Sequence, residues 1–477
     1  MTTETNLPEH LSYLSHLKPE ILKAIDGPSQ VVQSLERQNL ESEMERLNVL
    51  ETPAYERIGK VLATAMEHEY NVVTARQDKI GYAVYKDGDI PRTVDIEIAR
   101  RRVTPSFIGQ RITYTEIAVA VTKGGVKSIE QVARDEKIVA VMEETEYLIF
   151  HGDRRFGSGT DFSTGQNLQF DGLERIVKNG APQNILDLKG APLSLAALWA
   201  AENKVYQTQG LAKPSTVFIS PIDKINLQSS FYQIARTNQA ERASGILGNE
   251  AQTFISAYGQ SELVTSRFLG DWHRYQNGAF GNSSGEYSRP LTPMIVAPGA
   301  QGSRLEGVAG GLAGLDEGVA VTYFIKSANF YGESAARSVS LGAPTNGTSK
   351  AVLALDNVDS NTKWFIVFRQ DGNGKPKFLK RVPYYGSEAT VTIEDDGHEA
   401  LQSAYGNFRY RKLPGTGMVV GLDLMTTSIA QWIPLEQVPL PQALNRDYAI
   451  RHVSSLFARA PEFNFLIINV GQESLIA

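Results

Sequence analysis

The chain has 477 residues, 42% of them hydrophobic and 21% charged, with a formal charge of −6 and no cysteine. That is material for two to four globular domains of roughly 100–200 residues each, too acidic for non-specific nucleic-acid binding, which needs Lys and Arg in excess. The missing cysteines exclude disulfides, thiolate metal sites and thiol nucleophiles, and neither an apolar run of about 18 residues nor a signal-peptide pattern in the opening MTTETNLPEHLSYL is present, so the expectation is a cytoplasm and no membrane.

Residues 1–66 read as an extended arm with helical pieces at 19–25 and 30–50. In the second piece Val32, Leu35, Leu40, Met44 and Leu47 recur at near-helical spacing among Glu and Arg. The arm is too polar to be a core and needs a partner surface. Residues 67–118 switch to period two: Val94, Ile96 and Ile98 alternate with Asp95 and Glu97, and Ile112 and Tyr114 with Thr113 and Thr115. The pattern predicts long antiparallel strands. A two-stranded ribbon is marginal alone, so it should lie on a neighbouring subunit, with Arg100, Arg101 and Arg102 meeting acidic groups there.

The clearest helix spans 128–151. Ser128 with Gln131 makes a capping-box pattern, Ile129, Val132, Val139, Met142 and Ile149 form an apolar stripe, and Gly152 supplies the stop. It reads as a strut whose stripe packs on a sheet, with the acidic Glu143, Glu144 and Glu146 on a solvated or inter-subunit face. A short helix around Leu173 to Ile176 follows. A second capped helix over 194–209 carries Leu195, Leu198, Trp199 and Val205 on one face. Residues 216–220 predict a buried strand ended by Pro221, and 224–236 another helix. Helices on a central sheet make the body α+β.

From about 298 to 405 the pattern is strand-only. Strands are expected at 319–328, 335–341, 364–370, 377–382 and 389–393, separated by turn signals such as Asp371-Gly372-Asn373-Gly374. Short strands at this spacing predict a β-sandwich. Its Gly-rich flanks suit an inserted domain that folds independently and projects outward. Residues 418–422 and 465–470 then read as buried strands, with Pro434, Pro439 and Pro441 marking an irregular crossing between them.

No motif carries catalysis. The G-x-S-x-G match at 281–285 has loop on both sides rather than the strand and helix that a nucleophile elbow requires. The seven histidines, His10, His16, His68, His151, His273, His398 and His452, have no metal spacing. The Asp371 turn begins like a calcium loop but has Val382 where the bidentate glutamate belongs. No cofactor, metal or catalytic residue is expected.

The order of parts resembles the major capsid proteins of tailed phages, the Hong Kong 97 fold. The matching stretches are an N-terminal arm (1–66), an extended E-loop ribbon (67–118) and a peripheral domain with the spine helix (119–180). An axial domain with its return strand (181–297) and a C-terminal axial and peripheral part (406–477) complete it. The closing run Phe457-Ala458-Arg459-Ala460-Pro461-Glu462-Phe463-Asn464 and Ile467 to Val470 is similar to that family's last peripheral strand. The remaining stretch, 298–405, has its own resemblance. Tyr323 to Ser334 is similar to the Y-x-V-x-A-x-N-x-x-G-E-S run of fibronectin type III and related immunoglobulin-like domains. There Tyr323, Ile325 and Trp364 are core residues.

The resemblance implies a subunit that self-associates into hexamers and pentamers of an icosahedral shell. Ser128, Ile129, Val132, Val139, Met142 and Arg100 to Arg102 are its structural and assembly residues. Implied partners are further copies of the chain, a portal, scaffold or decoration proteins, and packaged DNA bound without sequence specificity. The location is a virion assembled in host cytoplasm. An encapsulin-type compartment and, in another class, a carbohydrate-binding or adhesion protein are the alternatives.

Overall fold

The computed structural model describes residues 52–75, 97–115, 129–156, 169–209, 213–235, 253–269, 290–299, 302–307, 314–330, 332–344, 349–386, 390–398, 416–440 and 445–471. The arm helices, Ser128 and the 281–285 motif lie outside these residues, as do the side chains of Ile129 and Val132.

The first elements are a short helix α1 (Pro53–Arg57), the strand β1 (Gly59–Leu62), the ribbon strands β2 (His68–Ala75) and β3 (Glu97–Val103), and β4 (Ser106–Thr115). β2 and β3 pair antiparallel. β4 instead joins the body, pairing over ten residues with β20 (Asn445–Ala458). With β19 (Thr427–Pro439) they form a sheet in the order β1-β19-β20-β4. The segment read as an irregular crossing is therefore a long hairpin. Pro434 fits because the β19–β20 register shifts between Ile433 and Glu436, and a bulge tolerates a residue that cannot donate to the ladder.

The spine helix α2 runs Ile129–His151, about 34 Å at 1.5 Å per residue. α3 (Leu173–Gly180), β5 (Ile185–Asp187), α4 (Leu195–Gln209), β6 (Thr216–Ile219), α5 (Pro221–Ala235), β7 (Thr253–Ser256) and β8 (Gly259–Thr265) follow. β18 (Thr416–Leu422) and β21 (Phe465–Gly471) complete a second sheet, β5-β21-β18-β6-β8-β7.

This sheet is buried on both faces. Phe218, Met418, Val420 and Leu466 share a core with Met142, Ile149 and Phe150 of α2 and with Ile108 and Ile112 of β4. Val217, Ile219, Val419, Phe465 and Ile467 turn to a second core with Leu198, Ala201 and Val205 of α4. Successive strand residues point to opposite faces, which is why these strands read as unbroken apolar runs. Trp199, expected on the buried stripe of α4, is 46% exposed. The stripe that packs is Leu198, Ala201 and Val205, at helical spacing, and Trp199 is turned about 100° from Leu198. Ser194 caps this helix, its Oγ accepting the Ala197 N–H at 3.3 Å.

The strand-only region forms two facing sheets. One holds β10 (Arg304–Gly307), β14 (Ser349–Asp356) and β17 (Val391–Asp395), with β9 (Met294–Ile295) also on β14. The other orders β12 (Gly332–Glu333), β11 (Val321–Asn329), β15 (Trp364–Asp371) and β16 (Lys377–Pro383), with β13 (Arg337–Gly342) also on β11. Tyr323, Ile325, Leu353, Phe365, Val367 and Ile393 fill the space between them. β14, at the centre of its sheet, has no β-branched alternation except Val352, so its Ser-Lys-Ala-Val-Leu-Ala-Leu-Asp sequence gave no strand signal.

Candidate assembly surfaces and the seam of the insertion

The ribbon meets the body on one face. The rings of Tyr70 and His68 lie 4.9 and 5.1 Å from that of Phe457, in a cluster with Val103, Trp432 and Val61. Trp432 Nε1 donates to the Ala65 carbonyl at 2.6 Å. Alternation puts Ile98, Arg100 and Arg102 on the opposite face. Ile98 is 62% exposed, and nearby in sequence Leu62, Met66 and Phe107 are exposed too. Arg100 and Arg102 already have acidic partners within the ribbon, Glu69 at 3.3 Å and Glu67 at 3.0 Å. Such solvated pairs hold their charges weakly. Arg101, also exposed, shares the Tyr70 face as its cross-strand partner.

Along α2, Val139 and Met142 are buried. The acidic run is split between faces: Glu144 is exposed, as expected, while the other two turn inward. Glu143 pairs with Arg267, and Glu146 is fully buried. Its two carboxylate oxygens accept the Ala54 and Tyr55 amides at 2.9 and 2.8 Å, so α2 caps α1 where the arm enters the body. Burial pushes the Glu146 carboxyl up to about 7, against the pull of those two amides.

Where α2 ends, the insertion begins to matter. Gly152 is required there: a Cβ would come within 2.5 Å of the Phe170 and Leu148 carbonyl oxygens. The tight passage places Asp153, fully buried, among three cations. Arg155 Nη2 is 2.9 Å away, Arg175 of α3 pairs directly, and Lys363 from the sandwich stands at 3.6 Å. These cations hold the Asp153 carboxyl below its usual range against the opposing effect of burial. Beside it, His151 Nδ1 meets Glu174 at 3.2 Å and Nε2 meets the Phe268 carbonyl at 2.9 Å. Both partners are acceptors, and Glu174 is held down at about 2 by His151, Lys363 and Arg381 despite burial. A neutral imidazole carries one N–H and satisfies only one of two acceptors.

An aromatic cluster closes the same seam. The ring of Phe330 stands edge-on to Tyr147, Phe156 and Trp364, at 5.7, 5.3 and 5.4 Å. Trp364 is fully buried, but on the outer face of its sheet with Ala328, Ile366 and Phe378. The sequence placed it in the sandwich core; the alternation of β15 sends Phe365 and Val367 there instead. Tyr323 and Ile325 do lie in that core, where the Tyr323 hydroxyl donates to Asp395 at 2.7 Å. The seam's charged residues carried no motif in the sequence, because they approach from distant segments.

No group of metal-ligating side chains occurs among the described residues, and no helix there is long and apolar enough to cross a membrane. The chain is similar to the capsid of cyanophage A-1(L), at 10% identity and TM-score 0.44 over 92% of this chain and 98% of that one. It is also similar to the capsid of Myoviridae phage XM1, at 8% identity and TM-score 0.42 over 93% and 99%. The holo-SrpI encapsulin complex of Synechococcus elongatus PCC 7942 matches at 10% identity and TM-score 0.40 over 92% and 95%. No curated protein sequence matches. The family model described as SU10 major capsid protein matches residues 27–300, more than half of the chain. The ribbon, the spine helix and the body elements from α3 to β8 lie within that span, and the chain belongs to the SU10 major capsid protein family.

Proposed function

We propose that the chain tiles an icosahedral shell as hexamers and pentamers around packaged DNA, with the β2–β3 ribbon overlapping a neighbouring subunit. The observation that carries this reading is the ribbon's outer face. Ile98, Arg100 and Arg102 are exposed on it, and Leu62, Met66 and Phe107 are exposed elsewhere on the ribbon's flanks and the body sheet's edges, apolar and basic surface that further copies would bury. The arginines would exchange their weak ribbon partners for acids of the neighbour, while a net charge of −6 keeps the shell from gripping DNA indiscriminately. Assembly in host cytoplasm and contacts with portal, scaffold or decoration proteins belong to the same reading.

The insertion is read as an immunoglobulin-like domain on the outer surface. Its pair of facing sheets and separate apolar core support the first part. The inner volume taken by DNA supports the second. Electron microscopy of the purified protein tests both. Closed shells with density for the insertion, 298–405, outside are expected. Monodisperse monomers would sink the shell reading, inner density the display reading, and shells filled with protein would favour an encapsulin-type compartment.

A further inference from the structure

We propose that the inserted sandwich is a brace of the capsid body, keyed to it by the shared Asp153 carboxylate, so that body and insertion unfold as one cooperative unit. This departs from the independent folding that the sequence suggested. Four separate body segments are tied to the sandwich. The first is the end of α2 and its turn. Asp153 faces Lys363, and Arg155 Nη2 donates to the Tyr384 carbonyl at 2.6 Å. Gly386 leaves room for that arginine, since a Cβ there would come within 2.3 Å of its Nη1. The second is α3, whose Arg175 shares Asp153 and whose Lys178 lies over the Tyr385 ring at 5.7 Å.

The third is the last body strand. Asn469, at φ 54°, accepts the Arg381 backbone N–H at 3.2 Å and donates to Asp187 at 3.0 Å. The fourth is the turn after β5, where Lys189 pairs with Asp396.

The energetic argument is one of counter-ions. Asp153 is fully buried and Lys363 is 3% exposed at its side chain. Lys363 Nζ also lies over the rings of Phe330 and Trp364, at 5.1 and 5.4 Å. Parting the sandwich from the body leaves Asp153 with only the two body arginines and takes the buried Lys363 ammonium away from its Asp153 partner. Removing one partner of a buried ion pair costs far more than the pair is worth against an apolar substitute. A domain hung on flexible linkers shows no such cost. The sandwich's own apolar core would let it persist alone, but the charges it shares with the body make separation unfavourable while either half is folded.

Calorimetry on the full-length protein, with hydrogen exchange read at β15 and at α3, tests the brace. A single transition is expected, with both segments losing protection together. Lys363→Met should lower that transition by several degrees and expose amides on both sides of the seam, and Lys363→Arg should restore most of the loss. Asp153→Asn combined with Lys363→Met should lower it by less than the sum of the two single variants. Two separate transitions in the wild type, strictly additive variants, or amides lost in the sandwich alone would overturn the proposal. If Lys363→Met proves insoluble, the wild-type trace decides the matter by itself.

Discussion

The spine helix makes two contacts of opposite character. Along its length Met142, Ile149 and Phe150 press an apolar stripe against the strands β4, β6, β18 and β21. At its C-terminal end, Asp153 and Glu174 meet Arg155, Arg175, His151 and the sandwich's Lys363 in a sealed ionic cluster. The apolar contact is non-directional and gains with every area buried. The ionic one gains little over an apolar equivalent, yet it is unforgiving of misplacement, because a displaced partner leaves a buried charge under-compensated. The first kind of contact makes the body stable. The second fixes where the insertion sits.

The largest effect should come from putting a charge into the apolar stripe. Met142→Asp buries an unpaired carboxylate and is expected to cost several kcal/mol, on the order of 3–5, leaving the protein insoluble or molten. Soluble, shell-competent Met142→Asp protein would show that the helix does not pack as described.

Glu146 sharpens the contrast, being a buried carboxylate within the apolar contact. Its folded value of about 7 lies above the ordinary 4.5. The protonated form is therefore favoured on folding, and the associated stability is fully present below about pH 4.5 and lost as pH rises through 7. Glu146→Gln should flatten that part of the pH–stability curve, by about 3 kcal/mol across the window. An unchanged slope in urea titrations at pH 4.5, 6 and 7.5 would refute the assignment.

Within the sandwich, Tyr323→Phe removes the hydroxyl that donates to buried Asp395 but leaves the Arg369 pair at 3.0 Å. A loss of about 1–2 kcal/mol is expected, measurable as a shifted denaturant midpoint with unchanged slope. A much larger loss would mean that Arg369 does not hold the carboxylate. The smallest effect belongs to the ribbon. Arg102→Ala should change subunit stability by less than about 1 kcal/mol, since its pair with Glu67 is solvated. Sedimentation would then separate two roles: fewer shells from an equally stable subunit supports an inter-subunit contact, and unchanged assembly argues against one.

Much of this was legible locally. The stripe of α2 and its glycine stop, the buried strand β6 and the hairpin turn at Asp371, where Gly372 takes φ 55°, all follow from short-range spacing. So did the order of parts that pointed to a capsid protein. Trp199 was misplaced because one apolar residue beside a stripe looks like part of it. Trp364 was assigned to the wrong face because β15 is buried on both sides and its alternation carries no contrast. β14 went unseen because Ala and Leu serve helix and strand alike.

By itself the sequence determined the periodicities: which segments coil, which extend, and where glycine and proline stop them. These depend on residues a few positions apart, whose relative geometry the local backbone sets. Only the tertiary structure decided that β4 belongs to the body sheet, that Glu146 caps a helix rather than facing water, and that the insertion is sealed to the body by charge. Asp153, Arg175 and Lys363 come from distant parts of the chain. A buried ion cluster leaves no periodic trace, because its strength arises from where the fold excludes water.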